Sequence, residues 1–267
     1  MVEIQNRTLQ KSIWGLVLIY YLGESVVFFV IGRIYGFSQV FFLLFLGAGA
    51  LFCILVGMFL IINKHLFHNN AGEVLSSVNL ACKITLFRII MIPFVIFLII
   101  ALKNFQVGPV LAFSIGLTCL SDLFDGIISR RYNQETFMGK ILDSSSDYLL
   151  LGVVSIAYYL NQLLPPWLFW LLISRLLLHS LGMMVLYLLR RKLIPQTTTF
   201  GKIAVASCMI LFIFMPVALV FPALERAIKF IEICTGILIF ISLVDKGIFF
   251  IRGLTLNLAE REGRSVK

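Results

Sequence analysis

The sequence predicts an all-α fold, a polytopic membrane helical bundle, and three observations carry that prediction. Of its 267 residues, 60% are hydrophobic and 13% charged, with a mean hydropathy of +1.02, whereas an ordinary soluble domain has roughly 25% charged residues. Apolar runs recur along nearly the whole chain, each near the about 20 helical residues needed to cross a ~30 Å hydrocarbon core. The punctuation agrees: Gly108-Pro109, Pro165-Pro166 and Pro222 fall between runs, where a missing amide donor and a fixed φ are tolerated.

Taken in order, the spans are placed at 12–32, 38–63, 84–102, 108–128, 141–161, 166–189, 203–222 and 230–252. The first is too long for a cleavable signal peptide, contains Glu24 and lacks a small-residue cleavage site, so it stays as a helix. Glu24 is read first as an intramembrane structural contact, with the lining of a polar path or pairing with Arg33 as the alternatives. The second ends before a segment, Lys64 to Lys83, in which Leu66, Phe67, Val74, Leu75 and Val78 lie among polar residues. That segment reads either as an interfacial amphipathic helix or as a plain connection, and its His65 and His68 lack a third ligand for a metal. The third span follows Asn79. The fourth opens at Gly108-Pro109 and ends in acidic residues; the fifth begins among acidic residues and stops before Pro165-Pro166. The sixth opens with Trp167 and Trp170, which fit an interfacial belt, and ends at Arg190-Arg191-Lys192. The seventh follows Gly201-Lys202, and the eighth holds Asp245-Lys246, read as a neutralising pair.

The formal charge is +9, yet the basic residues form no solvated arm or face, so nucleic acid is not an expected partner. They sort by side instead. With the N-terminus in the cytoplasm, the inner side receives Arg7, Lys11, Lys64, Arg130, Arg131, Lys140, Arg190 to Lys192, Lys202, Arg261, Arg264 and Lys267, and the outer side only Arg33, Lys103, Arg226 and Lys229. The positive-inside rule then places both termini in the cytoplasm. The five cysteines contain no CxxC pair and read as small core residues rather than a disulfide frame or zinc site.

Four of the five aspartates fall in one short window, and this clustering is the informative feature. Asp122 and Asp125 are three apart at the end of one helix; Asp143 and Asp147 are four apart at the start of the next. Each spacing puts both carboxylates on one helix face. A short polar connection, 127–138, makes the helices antiparallel neighbours, so the two faces can converge. Four carboxylates in a small volume repel one another unless cations sit among them. Oxygen-only donors favour Mg²⁺, Mn²⁺ or Ca²⁺ over zinc or copper. Two such ions about 3.5–4 Å apart form a clamp for displacement at phosphorus. Gly126 allows close backbone approach, and Arg130 supplies a donor fork for diphosphate oxygens.

The stretch Asp122-x2-Asp125-Gly126-x2-Ser129-Arg130-x8-Gly139-x3-Asp143-x3-Asp147 resembles the motif of the CDP-alcohol phosphatidyltransferase family, D-x2-D-G-x2-A-R-x8-G-x3-D-x3-D. Its one departure is Ser129 in place of alanine. Asn79, Thr85, Arg88 and Pro93 resemble the family's first core helix. The resemblance implies a six-helix core over residues 71–267, preceded by an N-terminal transmembrane extension, 1–70, of about two extra helices. It implies two Mg²⁺ or Mn²⁺ ions on Asp122, Asp125, Asp143 and Asp147, with Asp147 as general base, and CDP-lipid contacts at Gly126, Ser129, Arg130 and Gly139. The partners implied are CDP-diacylglycerol, a small alcohol acceptor, membrane lipids and a second copy in a homodimer, with the active site on the cytoplasmic face of the cell membrane.

The acceptor rests on fewer residues. Arg175, with Gly201-Lys202, resembles the phosphatidylglycerolphosphate synthases within the family, which makes Arg175 and Lys202 the acceptor candidates and glycerol 3-phosphate the leading acceptor. Gly201-Lys202 is followed by Ile203-Ala204-Val205 where that pattern has Lys and Thr, so inositol phosphate, inositol, serine and phosphatidylglycerol stay open. A cation transporter is the alternative of another class, but it predicts acidic groups spread across membrane depth rather than gathered at one edge beside Gly126 and Arg130.

Overall fold

A computed structural model describes residues 2–68, 77–131, 136–190 and 199–261. Among them the secondary structure is eight α-helices and two 3₁₀ turns: α1 (Val2–Tyr35), α2 (Gln39–Ile62), a turn at Lys64–Leu66, α3 (Leu80–Ala101), α4 (Gly108–Arg131), α5 (Phe137–Leu160), α6 (Pro166–Arg190), α7 (Thr199–Ala218), a turn at Pro222–Leu224 and α8 (Glu225–Arg261). Among the described residues, five stretches are long and apolar enough to cross a membrane: Arg7–Tyr35, Gln39–Ile62, Leu80–Ala101, Thr199–Ala218 and Pro222–Ile248. The apolar stretches of α4 and α6 are shorter, Gly108–Asp122 and Pro166–Gly182, and α5 carries Asp143 and Asp147 in its first half. The helices that break the hydropathy pattern include both that bear the aspartates.

Local chemistry sets the boundaries. Gly36, at φ +78°, follows the last residue of α1, a conformation that favours glycine at a helix end. Ser38 caps α2 by accepting from the Phe41 amide at 3.2 Å, and Asn79 caps α3 by accepting from the Cys82 amide at 3.1 Å. Pro109 and Pro166 lie in the first turns of α4 and α6, where no amide donor is needed. The segment after α2 forms a 3₁₀ turn at Lys64–Leu66; residues 69–76, with Val74 and Leu75 of the amphipathic pattern, lie outside the described residues.

The chain divides into two compact units, 1–157 and 158–267. In the first, α1 and α2 pack on each other and on α3, and α3 packs on α4. An aromatic cluster clamps one part of this unit: Phe28, fully buried, stacks on Phe45 at 4.0 Å and meets Phe94 and Phe97 edge-on. A second core joins Leu9, Ile13 and Val17 of α1 and Cys53 and Leu60 of α2 to Cys82, Leu86 and Ile90 of α3 and Met138 and Leu142 of α5. The N-terminal helices thus pack against the helix that faces the aspartates and against the turn that leads to Asp143. Glu24 is buried in α1, and no ion pair joins it to Arg33 among the described residues.

In the second unit, α8 packs on α6 and α7. Trp167 lies over Gly236, where an added Cβ would come within 2.5 Å of the indole. The Tyr158 hydroxyl donates to the Phe212 carbonyl at 2.7 Å, satisfying a fully buried polar group.

Candidate metal and phosphoryl-transfer site

The site lies in the first unit, where α3, α4 and α5 each contribute a charged side chain. Asp122 lies in the second half of α4, which continues past it to Arg131, and Asp143 and Asp147 lie one turn apart on α5. One carboxylate oxygen from each of the three lies within 4.8 Å of the other two, and the side chains are 41%, 48% and 34% exposed, respectively. Three hard oxygen donors that close together, reachable from solvent, suit Mg²⁺ or Mn²⁺. The side chains of Asp125, Gly126, Ser129 and Arg130, all on α4, lie outside the described residues.

Arg88, on the neighbouring α3, contacts all three carboxylates. Its guanidinium donates through Nη1 to Asp122 Oδ1 and through Nη2 to Asp143 Oδ1 at 2.8 Å, and Nη1 lies 3.4 Å from Asp147 Oδ1. Nη2 also donates to the Ser146 hydroxyl, which in turn donates to the Asp143 carbonyl at 2.8 Å. Arg88 is 1% exposed, so this buried cation faces the carboxylates from the protein side. Sequence reasoning placed Arg88 on the first core helix by resemblance and gave it no role. The available signal was a lone arginine deep in an apolar run, since ionisable groups there are expensive and usually functional.

The start of α5 explains Gly139. Thr136 precedes the helix, and its hydroxyl accepts from the Gly139 amide at 3.0 Å while lying 3.3 Å from Cys82 Sγ on α3. A Cβ at position 139 would lie 2.8 Å from Thr136 Oγ1 and 3.1 Å from Cys82 Sγ. Only a glycine lets the first turn of α5 approach α3 this closely, which fixes the turn ahead of Asp143. The resemblance assigns Gly139 to the CDP pocket; the structure supplies a packing reason for the same residue.

The other sequence candidates belong to the second unit. Arg175 is buried, donating from Nε to the Ser242 hydroxyl at 3.1 Å and from Nη2 to the Gly201 carbonyl at 2.9 Å. Lys202 is exposed. Lys246 is buried and lies with His179 and Arg175 in electrostatic reach of one another. The Asp245-Lys246 pair read from the sequence therefore belongs to a larger basic group. The Arg190 side chain and residues 191–192 lie outside the described residues. His68 stacks on Phe137 at 5.8 Å, and its backbone carbonyl accepts from the Phe137 amide.

Comparison with known proteins adds the family. A family model described as CDP-alcohol phosphatidyltransferase matches residues 78–244, starting just before α3 and leaving out α1 and α2. The chain is similar to the CDP-diacylglycerol–glycerol-3-phosphate 3-phosphatidyltransferase of Aquifex aeolicus, 28% identical over 163 residues, covering 60% of this chain and 85% of the relative. It is 34% identical over 123 residues to a probable phosphatidylglycerophosphate synthase of Mycobacterium tuberculosis, covering 45% of this chain and 57% of the relative. It is 40% identical over 78 residues to the Rickettsia typhi CDP-diacylglycerol–glycerol-3-phosphate 3-phosphatidyltransferase, covering 29% of this chain and 43% of the relative.

Proposed function

The chain belongs to the CDP-alcohol phosphatidyltransferase family and its apolar helices make it an integral membrane enzyme; from that premise we propose that it transfers a phosphatidyl group from CDP-diacylglycerol to glycerol 3-phosphate with release of CMP. The observation that carries this reading is the convergence of Asp122 of α4 with Asp143 and Asp147 of α5 to within 4.8 Å. With Asp125, these residues would hold two Mg²⁺ or Mn²⁺ ions. When bound, such ions neutralise the diphosphate and stabilise the departing nucleotide.

The protein's own part is to bind and orient. The acceptor oxygen attacks the phosphorus that bears diacylglycerol, the bond from that phosphorus to the CMP oxygen breaks, and the hydroxyl proton passes to Asp147. Asp147 is the choice for base because it lies one helical turn deeper along α5 than Asp143 and meets Arg88 at a longer distance, 3.4 Å against 2.8 Å. Arg130, Gly126, Ser129 and Gly139 would receive the nucleotide diphosphate. Holding both reactants in register supplies much of the acceleration in such a site.

For the acceptor, the printed names of the Aquifex and Rickettsia relatives support glycerol 3-phosphate. The buried Arg175 and Lys246 add support, because two basic groups in electrostatic reach of each other suit a phosphate dianion. This shifts weight from the exposed Lys202 to Lys246. The positive-inside charge pattern supports an active site on the cytoplasmic face of the cell membrane, and a homodimer completes the proposal by resemblance. The test is acceptor-resolved turnover: purified protein in mixed micelles receives CDP-diacylglycerol, a divalent ion and one of glycerol 3-phosphate, inositol phosphate, inositol, serine or phosphatidylglycerol. CMP release with glycerol 3-phosphate alone supports the assignment; release with a different acceptor replaces it.

A further inference from the structure

We propose that Arg88 is a positioning residue for the metal-binding carboxylates, anchored by Ser146, and that this buried fork sets the protein's affinity for divalent ions. The inference rests on the reading of Asp122, Asp143 and Asp147 as metal ligands and adds a residue outside the acidic motif.

Three observations point the same way. Arg88 meets an oxygen of each of the three carboxylates, and a carboxylate gripped at one oxygen can still present the other. The direction of approach is the second: Arg88 is 1% exposed while its three partners are 34–48% exposed, so the guanidinium holds the ligands from the interior and leaves their outer side to solvent. The third is anchoring. Ser146, fully buried, accepts from Arg88 and donates to the Asp143 carbonyl, tying the guanidinium to the backbone turn that carries Asp143. A buried cation costs desolvation energy that an apolar residue would not. A planar fork that addresses carboxylates on two helices at once is a geometry lysine cannot reproduce. Partners behind metal ligands commonly set ligand orientation and affinity.

The experiment measures Mn²⁺ binding to the full-length protein in mixed micelles, without substrate, by the electron paramagnetic resonance signal of free Mn²⁺. Arg88→Lys keeps the charge and removes the fork, so its effect reports geometry rather than net charge. Ser146→Ala removes only the anchor and keeps the test in force should Arg88→Lys fail to fold, which thermal melting of each variant reports. The expected result is a Kd raised about tenfold or more in Arg88→Lys and raised by a smaller factor in Ser146→Ala, with Asp143→Ala abolishing binding. Wild-type Kd values in Arg88→Lys and Ser146→Ala, with binding still lost in Asp143→Ala, would overturn the positioning role and leave the metal reading intact. Equal binding by wild type and Asp143→Ala would overturn both.

Discussion

Arg88 and Asp143 lie 55 positions apart in the sequence and meet at 2.8 Å, joining the first helix of the family-matched region to the second half of the acidic motif. The contact is a charge-assisted hydrogen bond between a fully buried donor and a half-exposed acceptor. Removing the acceptor's charge therefore affects stability as well as chemistry. Asp143→Asn is expected to destabilise the protein by about 1–2 kcal/mol, below the upper range for hydrogen bonds to charged groups because Asp143 is half-exposed. Thermal melting in detergent checks this; an unchanged melting temperature would mean that Arg88 does not depend on Asp143.

Gly139 gives a prediction that separates packing from nucleotide binding. Gly139→Ala puts a methyl group 2.8 Å from Thr136 Oγ1 and 3.1 Å from Cys82 Sγ, and overpacking of this kind costs about 1–3 kcal/mol. Adding Cys82→Ala removes one of the two obstructions, so the double variant is expected to recover part of the lost melting temperature. The double-mutant cycle is the check. Additive effects would show that position 139 is not limited by its contact with α3.

The aromatic clamp makes the N-terminal helices part of the scaffold for the site. Inside a bilayer the hydrophobic effect between helices is absent, and packing carries the association. Phe28→Ala empties the centre of a cluster that includes Phe45, Phe94 and Phe97 and is expected to cost about 2 kcal/mol, the low side of large-to-small values from soluble cores. Chemical unfolding in micelles measures it. A Phe28→Ala protein as stable as wild type would show that α1 and α2 are attached to α3 by other contacts.

Arg175 and Lys202 are predicted to behave differently despite their shared place in the acceptor pattern. Arg175 is buried and holds Ser242 and the Gly201 carbonyl, whereas Lys202 is exposed. Arg175→Lys is expected to raise KM for glycerol 3-phosphate about tenfold or more, the cost of a lost charge-assisted bond, with a smaller change in KM for CDP-diacylglycerol. Lys202→Ala is expected to raise the acceptor KM by less. Steady-state kinetics with each substrate varied in turn decides; a larger acceptor effect at Lys202 would return the weight to that residue.

The convergence of Asp122, Asp143 and Asp147 was legible in the sequence because helical spacing is local: Asp143 and Asp147 share a face by periodicity alone, and a short connection brings Asp122 near them. Arg88 was not legible as a site residue because its role exists only once α3 lies against α4 and the start of α5. Gly139 was noticed through the motif, but its reason, Cys82 on another helix, is tertiary. Helix ends differed for a different cause. The span read as 12–32 belongs to a helix running Val2–Tyr35, and the one read as 230–252 to a helix running Glu225–Arg261. Hydropathy registers the apolar part of a helix, while backbone hydrogen bonding continues into polar residues beyond it. Lys246 was read as half of a neutral pair because Arg175 and His179 sit on a different helix, and only packing brings the basic groups together.

Phosphatidyl transfer at the aspartate cluster is expected to depend on a divalent metal ion. The most direct test is mass-spectrometric detection of the lipid product from CDP-diacylglycerol and glycerol 3-phosphate, with Mg²⁺, after its chelation, and in Asp122→Asn. The expected result is phosphatidylglycerophosphate and CMP in equal amounts from the wild type with Mg²⁺, and neither product after chelation or in Asp122→Asn. Product formed at the wild-type rate by Asp122→Asn, or in the absence of any divalent ion, would contradict it.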